Sequence, residues 1–411
     1  MEVDILQTVQ RLQFTDREAA QTMLRRFIQE VFELDVATVE LRPLAVSLNS
    51  FNGFVSLRDG RRLFFKSHVE PGSVIAEYYN SDLLRQAGYP VVMPVLASTV
   101  PSRQMLLYEV IEDESLFDAA WAVECSQAAP GSFERLRQAQ QTCDDRLLDV
   151  YFRTLAWQDA ATHARQPVHQ LFYHRLAGGR LDSFYGPGTE VALPGLPEAA
   201  LATVRQVQWT INGVAFRDTL DDIIAHARTL LAPERDGPAV VGHGDAHNGN
   251  LFVRGRDLVY FDPAFAGRHD PLLDLVKPLY HNVHAMWMYF PQRWAQENGI
   301  LLTTRDSEFV VTYPDRLPAI REMFWQSKTQ RVLIPLLQEL RRRGWLRPDW
   351  RAYLQAALAC CPLLTMNLAD GQRFPPVVAL LGLAQVVEMG GRSHAGNSRV
   401  ERWLDGVEAV L

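Results

Sequence analysis

Residues 239–262 read AVVGHGDAHNGNLFVRGRDLVYFD. AVV, LFV and LVYF are short β-branched and aromatic runs, and HGDAHNGN and RGRD, rich in Gly, Asp and Asn, punctuate them. The pattern predicts a strand, a loop and a two-stranded hairpin that returns Asp262 to the end where Asp245 and Asn250 sit. Phosphoryl transfer needs a carboxylate to orient the attacking hydroxyl and hard oxygen ligands for Mg²⁺ between the β- and γ-phosphates. Asp245 suits the first task. Asn250, five positions later, and Asp262 suit the second, at the spacing of a kinase catalytic loop.

Two other readings compete for the same residues. His243, Asp245 and His247 alternate as H-x-D-x-H, a possible zinc set of a hydrolase. The glycines at 244 and 249 favour a loop over a strand with all three on one face. The residues could also be plain hairpin-turn residues, but Asp and Asn recur where phosphoryl chemistry wants them.

Upstream, Thr15 and Glu18 read as a capping box opening a helix with Ala19, Met23, Phe27, Val31 and Leu34 on one face. VELRPL, FVSL and RLFFK then read as strands of a small antiparallel sheet, the last two joined by a turn at Arg58–Gly60. The polar segment 47–54, SLNSFNGF, is expected to be a loop whose Asn52 and Gly53 offer backbone N–H groups to phosphates. Lys66 follows Leu63, Phe64 and Phe65 on a strand. Ser73 is expected to cap a helix carrying Glu77, and a strand lysine paired with a helix glutamate orients the lysine to α- and β-phosphates. Further strands are expected at 91–95 and 105–110. Glu109 to Ile111, where the chain leaves the sheet, is the stretch expected to bond an adenine edge.

Residues 115–237 read as mostly helical, with LDDIIAHARTLL expected to back the catalytic segment and an aromatic, glycine-rich loop at 171–188. Beyond Asp270 and Pro271, an N-cap and first helical position, the remainder reads as helices. Scattered acids such as Asp113, Glu114, Asp182 and Asp270 could favour a cationic acceptor.

With 41 basic and 48 acidic residues interspersed, the chain has no basic stripe, which argues against nucleic acid as a partner. The four cysteines lack zinc-ligand spacing, and Cys360 and Cys361 lie in an apolar run, so reduced core thiols of a cytoplasmic protein are expected. No apolar run reaches membrane-span length, and the N-terminus lacks a signal-peptide pattern.

HGDAHNGN followed by LVYFDPAFAGRHDPLLDLV resembles the catalytic core of the aminoglycoside phosphotransferase and choline kinase-like family. The likeness is tight over 240–276 and looser over 44–111. It implies an α+β, bilobal protein-kinase-like fold: a nucleotide-binding N-lobe at 1–111 and a mainly helical catalytic lobe at 112–411, whose 115–237 insert and C-terminal helices wall the acceptor pocket. It implies Asp245 as catalytic base, Asn250 and Asp262 as magnesium ligands, Lys66 and Glu77 as the nucleotide pair, Asp274 as a brace of the catalytic loop, and a structural His243. Asp262 precedes Pro263 and Ala264 rather than Phe-Gly. The activity implied is ATP- and Mg²⁺-dependent phosphorylation of a small-molecule hydroxyl, on an aminoglycoside, choline, sugar, amino-alcohol or natural product. A catalytically silent nucleotide-binding regulator and AMP transfer to a protein are the alternatives.

Overall fold

The computed structural model describes residues 5–42, 50–68, 76–100 and 102–411. Two compact units emerge, one of residues 1–86 and 90–113, the other of 87–89 and 114–411. The chain is α+β, as expected, with antiparallel sheet dominating the first unit and helix the second.

In the first unit, helices α1 (Ile5–Leu12) and α2 (Arg17–Phe32) precede strands β1 (Val36–Leu41), β2 (Ser50–Leu57), β3 (Arg62–His68), β4 (Leu96–Ser98) and β5 (Met105–Glu109), with helix α3 (Ala76–Ala87) between β3 and β4. The sheet order is β1-β2-β3-β5-β4, antiparallel throughout. Alternation puts Phe51, Val55, Leu63 and Phe65 against Leu24, Phe27 and Ile28 in one apolar core. The expected capping box is corrected. Asp16, not Thr15, caps α2, its carboxylate accepting from the Ala19 amide at 3.0 Å. The strand expected at 91–95 is displaced to Leu96–Ser98, where Leu96 and Ser98 pair with Leu107 and Met105. Ser73 lies outside the described residues.

The phosphate loop expected over 47–54 is also corrected. Residues 47–49 lie outside the described residues, while Asn52 and Gly53 are strand residues of β2, opposite Lys66 and Phe65 of β3. Phe51, Gly53 and Val55 share the buried face, and that alternation makes the segment a strand. A Cβ on Gly53 would meet the Glu40 carbonyl and lie 2.8 Å from the Phe65 ring, so glycine is required there by close approach.

In the second unit, strand Gly237–Gly242 lies between strands Ala156–Gln158 and Gly267–His269. Strands Leu251–Arg254 and Asp257–Tyr260 form the expected hairpin. Helix Ser132–Thr154 packs behind the 237–242 strand, and its Thr154 hydroxyl accepts from the Val241 amide at 3.1 Å. The helix expected there, Leu220–Leu230, instead buries Leu220, Ile223, Ile224 and Ala227 beside Trp350–Leu364 and Pro376–Gly390. Those last two helices are buried nearly all round and form the unit's centre, with Cys360 and Cys361 as free thiols inside it. The 115–237 segment is less helical than expected. It carries a hairpin, Glu190–Leu193 with Leu196–Ala200, and strand Gln208–Ile211, which pairs in parallel with Glu308–Thr312 from far down the chain. Of the 171–188 segment, Tyr173–Ala177 and Arg180–Tyr185 are helical.

Candidate active site

The site is built where the 237–242 strand ends. Gly244 adopts φ +81°, and a Cβ there would lie 2.5 Å from the Phe265 carbonyl, so the chain turns sharply on a residue that tolerates the left-handed region. Its amide donates to Asp274 Oδ1, which also accepts from His269 Nε2 at 3.0 Å, while the Tyr151 hydroxyl donates to Oδ2. Burial alone would raise the Asp274 carboxyl. Its bonds to His269, Tyr151 and the Gly244 amide outweigh that and hold it below the ordinary carboxylate range. Asp274 therefore ties helix Pro271–His281 to the loop, and its registry follows from Val240 standing opposite His269.

His243 turns inward. Its Nδ1 accepts from the Asp245 amide at 3.3 Å and its Nε2–H donates to the Phe261 carbonyl at 2.9 Å. Both ring nitrogens are thus spent on backbone, and His247 Nδ1 accepts from the Gly249 amide at 3.1 Å. The H-x-D-x-H alternation does not converge on a metal. The histidine instead joins the loop to the end of the hairpin.

The hairpin completes the donor set. The Phe261 amide donates to the Asn250 carbonyl at 2.9 Å, so Asn250 and Asp262 lie at the same open end of the ladder. The Asn250 side-chain amide donates to the Asp245 carbonyl at 2.9 Å, which leaves its oxygen as the atom for a cation. Asp262 is held at φ +57°, a left-handed conformation costly for a residue with a Cβ and often kept at functional positions. Two hard oxygen donors so placed fit Mg²⁺.

Asp245 itself is largely buried, with an ammonium and an imidazole beside its carboxylate. Lys277 Nζ lies 3.7 Å from Oδ1 and His247 Nε2 lies 4.0 Å from Oδ2. Burial pushes the carboxyl upward, but Lys277, His247, Arg175 and His243 together pull it below its ordinary value, so it stands as a carboxylate. Lys277 was not anticipated from sequence. The legible signal was a lysine and a histidine, Lys277 and His281, spaced i,i+4 in the otherwise apolar helix PLLDLVKPLYH. Arg175 and Asn282, whose side-chain oxygen accepts from the Asn248 amide at 2.7 Å, carry no comparable signal.

The matching model is that of a phosphotransferase enzyme family and spans residues 52–309. The chain belongs to the phosphotransferase enzyme family. With that membership, the two-unit α+β fold is a protein-kinase-like one. Similar solved structures include an amicoumacin kinase with AMP-PNP, Ca²⁺ and Ami, at 14% identity over 86% of this chain and 87% of that one, TM-score 0.47. An aminoglycoside phosphotransferase, a thermostable mutant with AMP-PNP and hygromycin B, has 10% identity over 90% and 98% of the chains, TM-score 0.45. A choline/ethanolamine kinase family protein from Mesorhizobium loti has 14% identity over 94% and 99%, TM-score 0.44. No curated protein matches.

The other residues expected at a nucleotide site belong to the first unit of this family member. Lys66, only 8% exposed, stands in β3 between Asn52 of β2 and Leu106 of β5. Asn52 and Lys66 are cross-strand partners and so share the sheet face opposite the helical core. Glu109 ends β5 opposite Leu63, and Ile111 follows it outside regular structure. Glu77 falls in the first turn of α3, with its side chain outside the described residues. Of the scattered acids, Asp270 is spent capping the Leu272 amide at 2.8 Å beside Arg235, and Asp182 is an exposed helix residue. No helix among the described residues is long and apolar enough to cross a membrane.

Proposed function

We propose that this protein transfers the γ-phosphoryl group of ATP to a hydroxyl of a small molecule, with Asp245 as the base. The observation that carries the reading is the joint fixing of three groups. Asp245 is a buried carboxylate whose backbone carbonyl is bonded by Asn250, and Asn250 shares the hairpin end with Asp262. Asp245 accepts a hydrogen bond from the acceptor hydroxyl and takes its proton as the oxygen attacks phosphorus. The bond from phosphorus to the β,γ-bridging oxygen breaks, and ADP leaves. Asn250 and Asp262 would hold Mg²⁺, which when bound neutralises charge between the β- and γ-phosphates. Lys66, with Glu77, is assigned to the α- and β-phosphates, Asn52 and Gly53 to phosphate contacts from their strand, and Glu109 to Ile111 to the adenine edge. Unpaired cysteines accord with a cytoplasmic protein.

Asp245→Asn tests this. Turnover should fall about 10²–10⁴-fold, the range a general base supplies, with MgATP affinity retained. Turnover close to wild type in that variant would sink the assignment. Label followed separately from the α- and γ-phosphates distinguishes phosphoryl transfer from AMP transfer.

A further inference from the structure

Two cations, Lys277 and Arg175, act on the single carboxylate of Asp245. The Lys277 side chain is 4% exposed, and its ammonium sits 3.7 Å from Asp245 Oδ1, beyond hydrogen-bond distance. That Oδ1 is itself buried without a hydrogen-bond partner. The other polar neighbour of Lys277 is His281 Nε2 at 3.5 Å, and His281 Nδ1 faces the Tyr289 hydroxyl at 2.9 Å. The His247 and His281 rings lie 5.6 Å apart. Burial is the first cause that keeps both imidazoles below their ordinary value, so they remain neutral near pH 7.

Arg175, on helix Tyr173–Ala177, adds a second permanent cation. Among the described residues its guanidinium has no ion-pair or hydrogen-bonded partner, and burial pulls it down to about 10, against which the Asp245 charge acts. Helices 173–177 and 271–281, which carry Arg175 and Lys277, both pack on helix Trp350–Leu364. Asn250 and Asp262 stand at the hairpin end instead. Lys277 pairs with Asp245, whereas Arg175 has no such acceptor among the described residues, and a buried cation without an acceptor is costly unless something anionic completes it.

We propose that the acceptor carries an anionic group, a carboxylate or a phosphate, which Arg175 and Lys277 bind while Asp245 takes the proton of a neighbouring hydroxyl. This rests on the phosphotransferase reading and narrows its acceptor class. It runs against the cationic acceptor that the scattered acids of the sequence suggested; of these, Asp270 caps helix 271–281 and Glu114 and Asp182 are exposed.

The test is a single scaffold with graded charge: glucosamine, glucose, glucuronate and glucose 6-phosphate. Acceptor-dependent ADP release and calorimetric binding in the presence of Mg²⁺ and AMP-PNP are measured on the full chain. The anionic members should bind and turn over at least about tenfold better than glucose, and glucosamine least. Comparing glucuronate with glucose 6-phosphate decides between carboxylate and phosphate. Arg175→Gln should raise KM for the anionic members about tenfold, with KM for glucose and for ATP unmoved. Lys277→Met should weaken calorimetric binding of the anionic members likewise and, because it also removes the cation beside Asp245, lower kcat for every acceptor. Preference for glucose or glucosamine, no binding of either anionic member, or a rise in KM for ATP with the acceptor's unmoved would each overturn the proposal. MgATP binding by the wild-type chain is read separately. Its absence sinks the phosphotransferase reading, whereas phosphorylation of only neutral or cationic members leaves that reading standing and removes this one.

Discussion

Asp262 shows how a single residue carries two demands. The proposed metal role asks for a carboxylate at the end of a hairpin, and the backbone there is held at φ +57°, where a side chain costs about 1–3 kcal/mol. Asn tolerates that region as well as Asp does but brings no charge. Asp262→Asn is therefore expected to leave the unfolding midpoint within a degree or so of wild type, in the range of neutral surface changes. The same variant should lose the Mg²⁺-dependent part of nucleotide affinity, read by calorimetry with and without chelator. Unchanged MgATP affinity there would count against Asp262 as a metal ligand. Asp245 and Asp262 thus part experimentally, one variant keeping the nucleotide and losing turnover, the other losing the metal-bound nucleotide first.

Helix Pro271–His281 is the element on which the site turns. It supplies Asp274, which fastens the loop, and one turn further Lys277, which faces Asp245. Removing the Asp274 carboxylate strands His269, Tyr151 and the Gly244 amide in a dry interior. Asp274→Ala is expected to cost about 3–5 kcal/mol, the range for breaking a buried pair, as measured by denaturant titration. A loss under 1 kcal/mol would mean that the brace is ornamental. In the first unit the corresponding element is β2. Gly53→Val drives a branched side chain onto the Glu40 carbonyl and the Phe65 ring, and should destabilise by about 1–3 kcal/mol or unpair β1 from β2. Amide exchange along Val36–Leu41 would report the second outcome.

Across the whole molecule, pH sets stability from two directions. Asp274, Asp245 and Asp218 are held below the ordinary carboxylate range, so their contribution is present at neutral pH and drains away as pH falls into and below that range. Glu388 has the opposite sign. It lines a cavity of about 270 Å³ with Trp121, Phe290, Arg293 and Tyr313, whose hydroxyl donates to it. Burial pushes it up to about 7, against Tyr313 and Arg399 and with Asp315. Its contribution is complete below the unfolded value and lost as pH rises through 7. Glu388→Gln should thus gain thermal stability relative to wild type as pH goes from 5 to 8, by up to about 3 kcal/mol. Parallel melting curves at both ends would refute the assignment.

Much of this was legible in the sequence, for a local reason. The hairpin, the sharp turn at Gly244 and the placing of Asp245, Asn250 and Asp262 at one end are set by short-range propensity and spacing, and 239–262 contains nearly all of them. What required the tertiary structure depends on residues far apart in the chain. The 47–54 segment is a strand over its described part because Phe51 and Val55 find a core on helices α1 and α2, and packing outranks the loop preference of Asn and Gly. The strand Gln208–Ile211 needed Glu308–Thr312 as its partner. Lys277 and Arg175, both of which lower the Asp245 carboxyl, come from helices about a hundred positions apart in sequence, and no local pattern encodes that. The proposed catalytic groups thus lie within one stretch of 24 residues, 239–262. The cations that act on Asp245 were decided only by how distant helices pack around it.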